Sequence, residues 1–404
     1  MSRRQRANPR LVAHLTTVDM SLELLLGAQL DGIVAAGGDA LGISSPGPSV
    51  DTLAARGVRH APLASSTRGW SLRGDVRAAR ELWTILRAAR PAVLHTHNPK
   101  PGLYGRIVGR LAGVPIVVNT VHGLYATPDD PWMRKFVVYT LEAFASRWSD
   151  AELVQNVEDV ETIRRLHLAS SAKVTHLCNG VDLTRFRPDA ANGSERSALR
   201  REWGADDDTV VIGTVGRLVA EKGYPELFAA VARLGTNVRL VVVGGDDSDK
   251  ADSLPRSVID AARTAGVVFL DHRDDVERIL GGFDVFVLAS HREGQPRAAM
   301  EAAATGLPIV ATDIRGCRQV VDHDVGGLLV PVDDVDALAT ALDELVTDPS
   351  RRTGMGTAAR AKAEREFDER DVVQRVMRCY ADVAQRRGVR LDLETSTADS
   401  ETDS

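Results

Sequence analysis

Two periods alternate along this chain of 404 residues. Short apolar runs rich in valine and isoleucine are separated by longer stretches with helical spacing, from one end to the other. In the first half, residues 11–17 (LVAHLTT), 92–97 (AVLHTH), 115–122 (PIVVNTVH), 151–156 (AELVQN) and 173–179 (KVTHLCN) read as strands. In the second half the strands are 210–216 (VVIGTVG), 238–244 (VRLVVVG), 267–271 (VVFLD), 284–290 (DVFVLAS) and 308–312 (PIVAT). Nearly continuous hydrophobic strands divided by helices imply parallel sheets covered on both faces. The alternation resets over 183–208, which is polar and loop-rich, and the boundary is placed near 188. The expected architecture is α/β, with two tandem Rossmann-like, doubly wound parallel-sheet domains facing a central cleft. They cover residues 1–188 and 189–372. A helix over 373–390 would return toward the N-terminal domain, and the acidic residues 391–404 read as a disordered tail.

Composition sharpens this picture in three places. A formal charge of −6 argues against a nucleic-acid partner, which would call for a basic excess. Three scattered cysteines, Cys178, Cys317 and Cys379, have no metal-ligand spacing and fit a reducing compartment. The basic N-terminus leads into a stretch carrying Asp19 and Glu23, so it fails as a signal peptide, and there is no long apolar run for a membrane span. The expectation is a cytoplasmic protein, with any membrane contact peripheral and at the inner face of the plasma membrane.

In open α/β sheets, ligands sit beyond the carboxyl ends of the strands. After the strand at 210–216 come Arg217 and Lys222, on a loop bracketed by Gly216 and Gly223 just before a helix. Two cations at a helix start suit a diphosphate; a solvated turn is the alternative. After the strand at 284–290 comes HREGQPRAAMEAAATGLP (291–308), with Glu293 and Glu301 eight residues apart. Pro296 suits a first helical turn, which puts Glu293 in the loop and Glu301 about one and a half turns in. Two carboxylates so placed can hold different parts of one ligand, with an anion favoured between them by the N–H groups near Gln295. Alternatively, Glu293 is a capping acid and Glu301 a surface residue. In the first half, His122 follows a strand and precedes Gly123; it is a ligand contact or a packed residue.

Taken together these stretches resemble the retaining glycosyltransferases of family 4, which have the GT-B fold. The resemblance spans nearly the whole chain. Its most specific part is EGQPRAAMEAAATGLPIVATDIRG, the family's Glu-x7-Glu signature, joined by GRLVAEKG and FLDHRDDVERILGGFDVFVLAS. The stretch VLHTHNPKPGLYGRIVGRLAGVPIVVNTVHGLY looks like the subgroup that builds capsules and other surface polysaccharides. The resemblance implies that Glu301 holds the ribose of a nucleotide-sugar, that of UDP in the capsule subgroup, and that Glu293 contacts the transferred sugar. It implies that Arg217 and Lys222 bind the diphosphate, and that His122 hydrogen-bonds the sugar from the other domain. The backbone at His272 and Arg273 would face the base, and Gly294 and Gln295 would offer N–H groups. The acceptor implied is a lipid-linked saccharide, and neither metal nor cofactor is expected. Rivals are a transferase to a small soluble acceptor, a GT-B sugar epimerase and an idle nucleotide-sugar-binding subunit.

Two departures stand out. A glycine-rich loop common in the family is here TTVDMSLELL, with Thr17, Asp19 and Ser21 as acceptor-side candidates alongside Lys100 and Arg106. The family's usual glutamate after Gly-x-x is Gln319. Weaker signals are Asp246, Asp247 and Asp249 as a cation loop, and His95, His97 and His122 as a zinc set. The segment 131–148 holds Trp132, Phe136, Tyr139, Phe144 and Trp148 beside Arg134, Lys135 and Arg147. It reads as a helix buried on two sides or one that touches a bilayer.

Overall fold

Side chains alternate across a strand, and both faces of these strands are apolar. On one face Leu11, Ala13 and Leu15 join Leu94 and Val117 in a core closed by Leu82 and Leu86. On the other, Val12 meets Val93, Ile116 and Val118, and this core is closed by Val372, Val376, Tyr380 and Val383 of the helix Glu369–Arg387. The structure, a computed structural model, describes residues 7–67, 69, 71–97, 99–127, 130–245 and 252–394. Asp246, Asp247 and Asp249 lie outside the described residues, as do tail residues 395–404.

The first sheet contains β1 (Asn8–Val18), β2 (Asp39–Ser45), β3 (Arg59–Pro62), β4 (Pro91–His97), β5 (Ile116–Val121), β6 (Ala151–Val154) and β7 (Val174–His176). Their spatial order is β3-β2-β1-β4-β5-β6-β7, with every pairing parallel. The second sheet contains β8 (Val210–Val215), β9 (Val238–Val243), β10 (Val268–Leu270), β11 (Val285–Leu288), β12 (Ile309–Thr312) and β13 (Gly327–Val330). Its order is β10-β9-β8-β11-β12-β13, again all parallel. Each sheet therefore reverses its winding once, between β1 and β4 in the first and between β8 and β11 in the second.

The chain divides into two units, Met1–Cys178 with Arg370–Ser404, and Asn179–Glu369. The division falls before residue 188 because 179–188 are tied to the second unit. The Asn179 N–H donates to Gln295 Oε1 at 2.7 Å, and Arg185 pairs with Glu277 at 2.7 Å. Residues 391–394 are ordered, against the expectation of a tail starting at 391. Leu391 and Leu393 pack on the first core, and the Asp392 and Glu394 N–H groups donate to Pro9 and Ala36. Strands β2, β3 and β13 were not expected. β2 (DALGISS) carries glycine and serines, and β3 and β13 are four-residue edge strands. Among the described residues, no helix is long and apolar enough to cross a membrane.

Candidate active site

The switch point of the second sheet brings two loops together, because β8 pairs with β11. After β8 the chain makes a single 3-10 turn, Ala220–Lys222, and Gly223 turns it into the helix Tyr224–Val231 with φ +66. A Cβ at Gly223 would lie 2.0 Å from the Ala289 carbonyl oxygen, so the two loops meet through a glycine that no other residue can replace. Gly223→Ala is expected to cost at least about 1 kcal/mol from the positive φ alone, before the clash is counted. Urea unfolding would measure it.

This approach sets Lys222 against Glu293. Lys222 Nζ lies 2.5 Å from Glu293 Oε1, and their side chains are only 18% and 13% exposed. The Ser290 hydroxyl donates to the same carboxylate oxygen at 2.8 Å. From β12's side, Gly316 leaves room for the Glu293 backbone: a Cβ there would sit 2.7 Å from the Glu293 carbonyl oxygen. Arg217, on the same glycine-bounded loop, reaches outward instead. It is about half exposed and pairs with Glu221 at 3.4 Å.

The helix Arg297–Ala304 follows, with Pro296 as its N-cap in extended backbone, one position earlier than its expected place in the first turn. No side-chain cap bond is made at Pro296, and the first turn carries no acid of its own. Glu301 accepts from Arg297 Nε at 2.8 Å. Burial holds the Glu301 carboxyl above its usual range, with Arg297 and Arg185 pulling the other way. The Gln295 side chain accepts the Asn179 N–H at 2.7 Å. His272 and Arg273 are exposed on the loop after β10, with Arg273 paired to Asp275 at 2.8 Å. Gln319 caps the four-residue helix Arg315–Arg318.

In the first unit, three expected acceptor-side residues serve the fold instead. Arg106 is 1% exposed and ion-paired with Glu152 at 2.9 Å and Glu142 at 2.7 Å. Lys100 is buried against Asp75 and the carbonyls of Thr67 and Gly69. Asp19 is buried and accepts the Ser49 N–H at 2.8 Å. A bare buried charge would be costly, so the sequence supplied each with partners that the linear pattern did not reveal. Thr17 and Ser21 remain partly exposed, with the Thr17 carbonyl accepting from Ser45 and Ser66.

His122 sits at the end of a polar chain. The face that is apolar at Val12, Val93, Ile116 and Val118 turns polar further along the same strands, at His14, His95, His97, Thr120 and His122. His122 Nδ1 lies 3.0 Å from Gln155 Oε1, and His122 Nε2 lies 3.1 Å from His97 Nδ1. His97 Nε2 lies 3.0 Å from His14 Nδ1, and His14 Nε2 lies 3.2 Å from the Tyr380 hydroxyl. Tyr380 meets His95 Nδ1 at 2.6 Å, and His95 Nε2 meets Thr120 Oγ1 at 2.7 Å. Burial lowers the pKa of His14 to about 3 and of His122 to about 4, and holds His95 and His97 well below the ordinary value. Among the described residues two triads lie within metal-binding reach, His14 with His95 and His97, and Glu226 with His291 and Asp333; the weakly signalled set with His122 is not one of them. His14, Gln155, Tyr380 and Ser290 were missed by the sequence reading. His14 had a visible signal, a polar residue inside an apolar strand; Tyr380 had none.

Tandem parallel sheets with loops gathered at their switch points are the GT-B architecture, and solved structures agree. Anabaena HepE in complex with UDP and glucose matches with a TM-score of 0.77 at 18% identity, over 92% of this chain and all of that one. Sucrose-phosphate synthase from Thermosynechococcus elongatus matches with a TM-score of 0.80 at 19% identity, over 93% and 100%. Residues 195–362 match the model for glycosyl transferases group 1, and residues 22–180 match the glycosyl transferase 4-like domain. The Escherichia coli UDP-Gal:alpha-D-GlcNAc-diphosphoundecaprenol alpha-1,3-galactosyltransferase is 32% identical over 78% of this chain and 82% of its own length. The capsular polysaccharide biosynthesis glycosyltransferase CapM of Staphylococcus aureus is 26% identical over 91% and 96%. The chain belongs to the family 4 glycosyltransferases, and it is an enzyme of that class.

Proposed function

We propose that this enzyme takes a hexose from a UDP-sugar and places it, with retained anomeric configuration, on a lipid-linked saccharide of a surface polysaccharide. The observation that carries the reading is the Lys222–Glu293 pair at the β8/β11 switch point. It joins a cation fit for a departing diphosphate to an acid fit for sugar hydroxyls. Lys222 and Arg217 bind the diphosphate and neutralise the charge that grows on it during transfer. They do the work a divalent ion would otherwise do, so the reaction needs no added metal. Glu293 accepts from hydroxyls of the transferred sugar, and His122 is assigned to the same sugar. Glu301, fifth in its helix, accepts from the ribose. The backbone of Gly294 and Gln295 donates to the sugar or phosphate, and the backbone at His272 and Arg273 lies by the base. Thr17 and Ser21 are the acceptor-side residues that remain.

The lipid-linked acceptor is supported by the Escherichia coli relative, whose own acceptor is a diphosphoundecaprenol-linked sugar. A soluble acceptor is the second reading, favoured by a D-inositol 3-phosphate glycosyltransferase of Saccharomonospora viridis that is 32% identical over 74% of this chain. Turnover of a nucleotide-sugar panel against both acceptor classes, followed by mass spectrometry of products, decides between them. Transfer to inositol phosphate with none to polyprenyl diphosphate sugars would overturn the first reading.

The helix Trp132–Ala145 supports work at a bilayer, at the inner leaflet of the plasma membrane. Only Ala145 is buried in it, whereas Trp132 is 71% and Phe136 65% exposed. Met133, Val137, Leu141 and Phe144 extend that exposed apolar face, with Arg147 beside it. An apolar stripe edged by cations suits the interface of an anionic membrane. Trp132→Asp with Phe136→Asp is expected to weaken binding to phosphatidylglycerol vesicles by at least about tenfold. Unchanged co-sedimentation would remove the membrane from this reading.

A further inference from the structure

The six hydrogen bonds from Gln155 to Thr120 form one unbranched chain, Gln155–His122–His97–His14–Tyr380–His95–Thr120. A neutral imidazole has one N–H and one lone pair, so fixing the proton on one ring fixes the next. The Gln155 oxygen only accepts, so His122 carries its proton on Nδ1 and presents a lone pair at Nε2. His97 must then donate from Nδ1, and His14 from Nδ1 in turn. Tyr380 donates to His14 Nε2 and accepts from His95 Nδ1. The Thr120 hydroxyl closes the chain by donating to His95 Nε2.

With the Gln155 amide turned around, every bond would reverse and the Thr120 hydroxyl proton would need another acceptor. Thr120 is 2% exposed, and among the described residues the side chain that its hydroxyl meets is His95. Only the first polarity pairs every proton, and both ends of the chain agree on it. Because the chain stops at a buried threonine, it has no outlet and cannot conduct protons.

We propose that Gln155, His97, His14, Tyr380, His95 and Thr120 are positioning residues that lock His122 as the neutral Nδ1–H tautomer. His122 then meets the transferred sugar only as a hydrogen-bond donor, its Nδ1–H shared between Gln155 Oε1 and a sugar oxygen, and takes up no proton during transfer. The functional half rests on the assignment of His122 to the sugar. The tautomer half stands on the geometry alone.

Protein labelled with 15N in its histidine rings separates the two halves at pH 7. Long-range 1H–15N correlation is expected to show a protonated Nδ1 and a bare Nε2 on His14, His95, His97 and His122. A protonated Nε2 on any of them, or one equivalent of zinc retained by these rings, overturns the proposal. Gln155→Met combined with Thr120→Val removes both ends that fix the polarity: His122 is expected to show both tautomers, and kcat to fall at least about tenfold, the value of one lost hydrogen bond. Gln155→Glu keeps an acceptor there and is expected to restore the single Nδ1–H form, which a merely structural role would not require. If the Gln155→Met/Thr120→Val double variant keeps one tautomer, the lock is wrong. If the tautomers are as expected but His122→Ala turns over like the parent, the lock stands and the sugar assignment falls.

Discussion

Replacing Lys222 by alanine is expected to lower kcat/KM at least about a thousandfold, roughly 4 kcal/mol of transition-state stabilisation. The charge on the departing diphosphate grows as the sugar leaves, and Lys222 is the cation drawn into the switch point, only 18% exposed. Arg217, about half exposed and turned toward Glu221, should matter less to the chemical step. The resting ion pair adds a sharper expectation. Glu293 now occupies Lys222, so an incoming diphosphate must compete with it. Glu293→Ala should therefore abolish transfer yet tighten the binding of UDP itself, a contrast that calorimetry reads directly. Near-parental turnover of Lys222→Ala would sink the assignment, and weaker UDP binding by Glu293→Ala would sink the competition argument.

The second large effect is expected in acid. A histidine whose native pKa lies below its unfolded value binds more protons unfolded than folded, so its contribution to stability falls as pH drops. The loss begins near the ordinary value of about 6.5 and continues down to the native pKa. For His14, held at about 3, and His122, at about 4, the loss at pH 5 is about 2 kcal/mol each. His95 and His97 act in the same direction. That sum is a large part of the stability of a typical domain. All four lie in the first unit, while His272, His291 and His323 of the second are not buried. Between pH 7 and 5, amide exchange corrected for its intrinsic rate should accelerate in β1, β4 and β5 well before β8 and β11. Equal response of the two units would contradict the argument.

What could be read from the linear pattern was whatever depends on neighbours along the chain. Runs such as VRLVVVG are buried on both faces and declare their strand at once. Lys222 and Glu293 follow such strands, so their place at a sheet's carboxyl edge came with the strands themselves. DALGISS and RHAP take their strand form from the neighbouring strands, which no local pattern contains. Arg106 looked like a ligand because its partners Glu142 and Glu152 are far along the chain. Pro296 fell one position outside its expected turn, a normal margin for a helix end. The histidines of β1 and β4 could have been aligned by their period of two, but Tyr380 lies hundreds of residues away.

That distance bears on how the protein is made. The first core is closed by Val372, Val376 and Tyr380, all on the final long helix. A ribosome adds roughly 5–20 residues per second, so the sheet begun first waits tens of seconds for the helix that seals it. The second unit, uninterrupted from Asn179 to Glu369, can complete itself earlier. The order of synthesis and the order of folding are therefore opposed. In the interval, the nascent first sheet shows Val12, Val93 and four histidines to whatever chaperone attends it.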